Sequence, residues 1–292
     1  MDSSMNNTVD VSSLPKVVRQ NLSTLRKFRK QVSPYLPLAC RILLISTFLE
    51  DGIRVLFELN HQVDFLHHEY YIPSFIAAFM LLTNIIISFI AIAIILAGKR
   101  FARGMYENLA AYALIGCVVY QQVLYGRHSP IGSGNVGFLV RNLCLSGSLL
   151  LITCQSRIAQ GRSALPLGLL DGQADKQTTV AYLQLASRIM LVLLGLEFIT
   201  TLGVLGTMMA IPVIVAVLIG YRLEISGIVL FGFYLVHNII NSAFWSVKGA
   251  YISQIMQYEF FQTLSIMGGL LLLIMIGPGA ISVDEMRSRK AF

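Results

Sequence analysis

The chain has 292 residues, 55% of them hydrophobic and only 13% charged, with a formal net charge of +7 and a mean hydropathy of +0.70. A soluble protein of this length carries about a quarter of its residues charged, so a soluble globular fold is excluded, and disorder, collagen-like repeats and a disulfide scaffold fall with it. One hydrophobic core shared among membrane helices is the class that remains.

A helix rises about 1.5 Å per residue, so about 20 apolar residues cross a hydrocarbon core of roughly 30 Å. In chain order the predicted spans are 36–57, 70–98, 108–126, 137–154, 179–196, 198–221, 225–247 and 260–283. Three are interrupted by charge: the first by Arg41, Glu50, Asp51 and Arg54, the fourth by Arg141, the fifth by Arg188. Unbroken apolar runs without strict alternation argue against a barrel. The expected fold is therefore an all-α polytopic membrane protein of about eight transmembrane helices. Seven follow if the charged first span is re-entrant.

Lysine and arginine fix the orientation. The tail before span 1, the ends of spans 2, 4 and 6, and the segment after span 8 hold sixteen of the 22 basic residues. Both termini are expected in the cytosol. The first thirty residues are polar and basic, so no cleavable signal peptide is expected. A pI near 9.3 then reflects topology, and nucleic acid is not an expected partner.

An internal repeat follows. Arg41 and Glu50 stand nine residues apart, as do Arg188 and Glu197; Asn142-Leu143 with Gly147 mirrors Thr263-Leu264 with Gly268; Gly98 mirrors Gly220. The first pair is offset by 147 residues and the later ones by about 121. Two tandem four-helix units in parallel orientation satisfy this, because four spans return the chain to its starting side. The expected division is a basic cytosolic tail (1–35), a first unit (36–156) with an insert near 51–70, a cytosolic linker (157–178), a second unit (179–283) and a cytosolic tail (284–292). The insert faces the non-cytosolic side, where loops added to a scaffold commonly carry function.

Ionisable residues within spans cost about 2.5–3.5 kcal/mol each and are usually paired or functional. Arg41 and Arg188 sit near cytosolic ends, where snorkelling is the inexpensive explanation. Glu50, Asp51 and Arg54 form a denser cluster, with Glu50 and Arg54 on one helix face and Arg141 and Glu197 as further partners. Two readings stand: an ion network joining the repeats, or the polar floor of a binding cavity. In the insert, His61, His67 and His68 read as solvated loop residues or as pH sensors. Adjacent His67 and His68 side chains diverge, so no metal is expected. The run from Gly132 to Gly137 spells GxGxxG but links two membrane helices, outside the strand-to-helix setting that gives the motif meaning. Cys40, Cys117, Cys144 and Cys154 all fall in spans and read as inert thiols. No cofactor is implied, and nothing points to an enzyme.

Three blocks of the sequence resemble the Surfeit locus protein 4 family: LISTFLEDGIR at 44–54, Arg141-Asn142-Leu143 with its leucine run, and YEFFQTLSIMGGLLLLIMIGPGAISVDEM at 258–286. A weaker likeness joins the four-helix repeat to the DoxX-like superfamily. The family resemblance implies a cargo receptor of the endoplasmic reticulum membrane that cycles to the Golgi. Its implied partners are soluble secretory cargo in the lumen, anterograde and retrograde coat subunits in the cytosol, and membrane lipid; a homo-oligomer is compatible. By position it carries over Glu50, Asp51, Gly52, Arg54, Arg141, Asn142, Phe261, Gln262, Gly268 and Gly269. The candidate cargo-binding residues are Glu50, Asp51, Arg54, His61, His67, His68, Arg141, Asn142 and Gln262. The family's dilysine retrieval signal becomes Arg289-Lys290 here, and guanidinium is a poor substitute in a pocket built for ammonium. Weaker retrieval and some Golgi residence are expected. The alternative function is a small-molecule or lipid transporter, for which Asn84, Gln121, Gln122, Asn238 and Asn241 speak. A redox membrane enzyme ranks third.

Overall fold

The computed structural model describes residues 35–98, 104–125, 136–163, 171–199 and 203–290. The basic tail, the loops with Lys99, Arg100, Arg103 and Arg127, and most of the glycine motif at 132–137 lie outside the described residues. The side chains of Arg289 and Lys290 lie outside them too. Contacts divide the chain after residue 39; of the first unit only the start of α1 is described, and all contacts below lie within Cys40–Phe292.

Among the described residues every regular element is helical: α1 (Leu36–Phe57), α2 (Leu59–Tyr70), α3 (Ser74–Ala97), α4 (Gly104–Tyr125), α5 (Val136–Ser163), α6 (Asp171–Ile199), α7 (Val204–Ile219), α8 (Leu223–Asn241), a 3-10 turn (Phe244–Ser246), α9 (Ala250–Ile276) and α10 (Val283–Lys290). Six of them, α3, α4, α5, α6, α8 and α9, are long and apolar enough to cross a membrane. The other two predicted spans are α1, long enough but carrying four charges, and α7. With 16 residues α7 reaches about 24 Å, short of a full crossing.

Two expected boundaries move, and the insert takes a regular form. Phe198 lies in the last turn of α6 rather than opening the next span. The predicted last span begins at residue 260 because Glu259 ends the charge-free run, yet α9 starts ten residues earlier. Glu259 stands 3.8 Å from the Arg141 guanidinium, and an opposed charge is tolerated where a lone one is not. The insert is helical. Leu66 of α2 is fully buried against Val55, Ala77, Leu81, Ile85 and Leu124.

Neither Arg41 nor Arg188 snorkels. Arg41 Nη1 donates to Ile95 O at 2.8 Å and Nη2 to Glu107 at 3.0 Å. Arg188 is fully buried, and its Nη2 donates to Ile281 O. Each guanidinium lies against a glycine at a helix end: Arg41 against Gly98 after α3 (φ +54°), Arg188 against Gly220 after α7 (φ +69°). Left-handed backbone suits glycine, and here a Cβ also has no room. Gly220→Ala combines a strain of about 1–2 kcal/mol with a clash on the Arg188 guanidinium and on Ser282 Cβ at 2.7 Å. A fall of several degrees in melting temperature in detergent is the expected result; an unchanged value would contradict this packing.

Several contacts recur at the two offsets of the sequence repeat. A Cβ on Gly147 of α5 would meet Met190 Cβ and Ser187 O of α6; one on Gly268 of α9 would meet Leu43 Cβ and Cys40 O of α1. Cys144 Sγ donates to Met190 O at 2.9 Å, and Ser265 Oγ to Leu43 O at 3.1 Å. Arg141 Nη1 donates to Thr263 Oγ1 at 3.3 Å, and Gln262 Nε2 to Asn142 Oδ1 at 2.9 Å. Gly269 lies directly against Ser148, its own counterpart, where α5 and α9 cross. The same close approach of helices through small residues is thus made twice.

Candidate functional site

The acidic cluster forms on the last two turns of α1. Helical spacing puts Asp51 and Arg54 three residues apart and Glu50 and Arg54 four apart, all within reach of one guanidinium. Arg54 Nη2 donates to Asp51 Oδ1 at 2.5 Å, while its Nε stands 3.5 Å from Glu50 Oε1. Gln121 of α4 donates to the other Asp51 oxygen. Both carboxylates are buried, each residue 8% exposed.

Asp51 and Arg54 face a cavity of about 270 Å³ at the Phe57 end of the bundle. Its polar floor is completed by Gln121 and Asn84, and Glu58 and His61 also line it. The walls are aromatic and aliphatic: Tyr120 and Tyr125 of α4, Phe138 of α5, Tyr258 and Ile255 of α9, Phe65 of α2. Phe65 stacks on Tyr125 at 5.9 Å with a 13° interplanar angle. The Arg54 guanidinium lies 5.9 Å from the Tyr258 ring centroid, within cation–π range.

Helix α2 is fastened over this end by polar ties. Tyr125 Oη donates to Gln62 Oε1 at 2.9 Å, and Tyr70 Oη to Leu124 O. At the α1–α2 junction, Gln254 Nε2 donates to Glu58 Oε1 at 2.6 Å. The insert therefore supplies a wall of the cavity and joins it to α9.

The nine sequence-derived candidates separate into three groups. Asp51, Arg54 and His61 line the cavity; Glu50, buried next to Asp51 on α1, is not among its lining residues. Arg141, Asn142 and Gln262 join a buried interhelical network. Arg141 Nε donates to Glu197 Oε1 at 2.9 Å, and Gln262 binds Asn142, whose Nδ2 donates to Gln122 Oε1 at 2.7 Å. His67 and His68 are exposed and lie outside the cavity, their Nδ1 atoms donating to Ile72 O and Asp64 O. The helix turns His67 to the opposite side from Phe65, while His68, seven residues from His61 on the same face, lies two turns beyond it.

Sequence reasoning missed the aromatic walls and the tie from Gln121 to Asp51. An aromatic residue near a helix end reads as an interfacial anchor, and only the packing shows which rings face inward. The arrangement can bind: it offers a carboxylate on the floor, five aromatic rings, and a mouth shaped by α2. At about 270 Å³ the cavity lies just below the roughly 300–1,000 Å³ typical of small-ligand pockets.

Comparison with known proteins places the chain in a family. The SURF4 family profile matches residues 16–290. Surfeit locus protein 4 homolog of Drosophila melanogaster is 30% identical over 259 residues, 87% of this chain and 90% of the relative. The Schizosaccharomyces pombe protein of the same name is 30% identical over 269 residues, covering 89% and 84%. ER-derived vesicles protein ERV29 of Saccharomyces cerevisiae is 28% identical over 257 residues, covering 88% and 78%. No solved structure matches the chain. The profile takes in all three signature blocks, including the acidic cluster on the cavity floor, and the chain belongs to the SURF4 family.

Proposed function

We propose that this protein is a cargo receptor, binding soluble secretory proteins in the lumen of the endoplasmic reticulum and loading them into transport vesicles. Relatives named for ER-derived vesicles and for Surfeit locus protein 4 point to vesicle traffic. The observation that carries the reading is the cavity, with Asp51 on its floor and aromatic rings around it. It is too small for a folded surface and suits one chain terminus, whose ammonium meets Asp51 while the first apolar side chains enter the aromatic walls. Terminal-amine capture through a few anchors fits a receptor that must later release, with affinity of roughly micromolar, or about −8 kcal/mol. By the distribution of basic residues the cavity end faces the lumen. Recycling is assigned to Arg289 and Lys290.

The same reading takes the chain as two four-helix units, 36–156 and 179–283, in parallel orientation. The contacts that recur at offsets of 147 and 121 support it. On this reading the insert is the first unit's addition, and it supplies one wall of the cavity. The transporter alternative loses ground, because Gln121, Gln122 and Asn238 are engaged in holding helices together.

The deciding experiment is quantitative proteomics of the secreted fraction and the ER lumen with and without this protein. Retention of a defined subset of soluble proteins, rescued by the intact chain, is expected. No retained subset, together with lipid or solute flux in reconstituted vesicles, would replace the receptor with the transporter.

A further inference from the structure

Two acidic clusters in the bundle each set two acids against one arginine, and they differ in which helix supplies it. On α6, Glu197 receives a hydrogen bond from Arg141, supplied by α5; Glu259, the more exposed of that arginine's two acids, stands 3.8 Å away. On α1, Glu50 and Asp51 share Arg54, which gives its short hydrogen bond to Asp51. Neither Glu50 oxygen has a hydrogen-bond partner among the described residues, although the residue is 8% exposed.

The recurring contacts explain the difference. The offset that relates Glu50 to Glu197 also relates Leu43 and Cys40 to Met190 and Ser187, and the offset that relates Asn142 to Thr263 relates Arg141 to Gln262. So the α9 position equivalent to Arg141 holds an amide. Gln262 is fully buried, its Nε2 donates to Asn142, and its Oε1 has no partner among the described residues. The bracketing contacts put this stretch of α9 beside the right part of α1: Ser46 Oγ donates to Phe261 O, and Arg54 lies over Tyr258.

We propose that Gln262 sets the charge selectivity of the cavity. It withholds from Glu50 the arginine that Arg141 gives to Glu197, so the Glu50–Asp51 pair is one positive charge short. The ligand's cation makes up that deficit. Glu58 on the cavity wall adds a further negative charge, and Arg54 is the cavity's one arginine or lysine among the described residues. The required ligand is therefore an apolar chain ending in a monocation such as a primary ammonium, and the same chain with a neutral end is rejected. This rests on the cavity being the cargo site, as proposed above, and makes Gln262 a specificity-determining residue that acts without lining the cavity.

The test uses the purified full-length chain and the peptide Leu-Ala-Phe-Ala-Gly carrying a C-terminal fluorophore, with its amino terminus free or acetylated. The wild-type chain is expected to prefer the free amine about thirtyfold or more. Gln262→Arg neutralises the Glu50–Asp51 pair and leaves Glu58 as the cavity's uncompensated acid. Its affinity for the free-amine peptide falls about tenfold, toward that for the acetylated one, which itself does not change. A merely structural role for Gln262 would weaken both peptides together. Glu50→Gln removes the same charge from the other side and reduces the preference likewise, so the test survives poor folding of Gln262→Arg. An undiminished preference in a folded Gln262→Arg, or in Glu50→Gln, overturns the inference and leaves the cavity's role standing. A wild-type chain that binds both peptides alike overturns the amine contact itself, and the inference with it.

Discussion

Asp51→Asn is expected to weaken binding of a free-amine apolar peptide about thirtyfold, or about 2 kcal/mol, with little change for the acetylated peptide. Asp51 is the buried carboxylate that lines the cavity, and it is held in place from both sides by Arg54 and Gln121. Asparagine keeps its shape and its hydrogen bond from Arg54, so the change removes charge more than structure. Close charge pairs in buried interfaces couple by about 1.5 kcal/mol or more, which sets the magnitude. Asp51→Ala is the wrong probe. It leaves Arg54 with only its long contact to Glu50, and breaking a buried pair costs about 3–5 kcal/mol. In cells, Asp51→Asn at wild-type abundance should retain the same cargo subset as loss of the protein. Normal export by an asparagine variant would sink amine capture at this site, whatever the proteomics show for the chain as a whole.

The second large effect falls on folding. Gly268→Ala would bring a Cβ to 2.6 Å from Leu44 N and 2.8 Å from Cys40 O, both backbone atoms of α1. Backbone cannot rotate aside as a side-chain tip does, so α1 and α9 must separate or the variant fails to pack. Overpacking of this kind costs about 1–3 kcal/mol or more, and the loss of close approach also lengthens the Ser265–Leu43 hydrogen bond. Gly116→Ala is the matched control. Gly116 lies within α4 with nothing inside 4 Å of a new Cβ, and alanine is the better helix former by about 1 kcal/mol. Thermal unfolding followed by size-exclusion chromatography in detergent should show Gly268→Ala melting well below wild type, with Gly116→Ala level or higher. Equal melting of the two variants would contradict the crossing described here.

Much of this protein is legible in its composition and spacing. Charge-free runs identify the apolar helices because lipid leaves the backbone no hydrogen-bond partner but its own chain. The Glu50–Asp51–Arg54 cluster is legible for a related reason, since charges inside a span persist only when paired or used. The repeat is visible in a few fixed spacings, Arg41 to Glu50 against Arg188 to Glu197. Where charge-free runs mislead, at the start of α9, a partner 118 residues away in sequence compensates the charge. Such a partner is invisible along the chain.

Tertiary structure alone decides which polar residues meet. It puts His61 at the cavity and leaves His67 and His68 off it, because Leu66 must be buried, which turns His67 away, and His68, on the same helix face as His61, lies two turns farther along. It assigns Arg141 to Glu197 and leaves Glu50 with a share of Arg54, although the spacing of each acid from its arginine reads alike. It gathers rings from α2, α4, α5 and α9 around one carboxylate. The sequence by itself determined the helices and the charges each must answer for, since both follow from transfer into lipid. The site depended on which helix faces lie together, and that is set by glycine-sized gaps at Gly147 and Gly268, where side-chain volume fixes the crossing and no single segment records it.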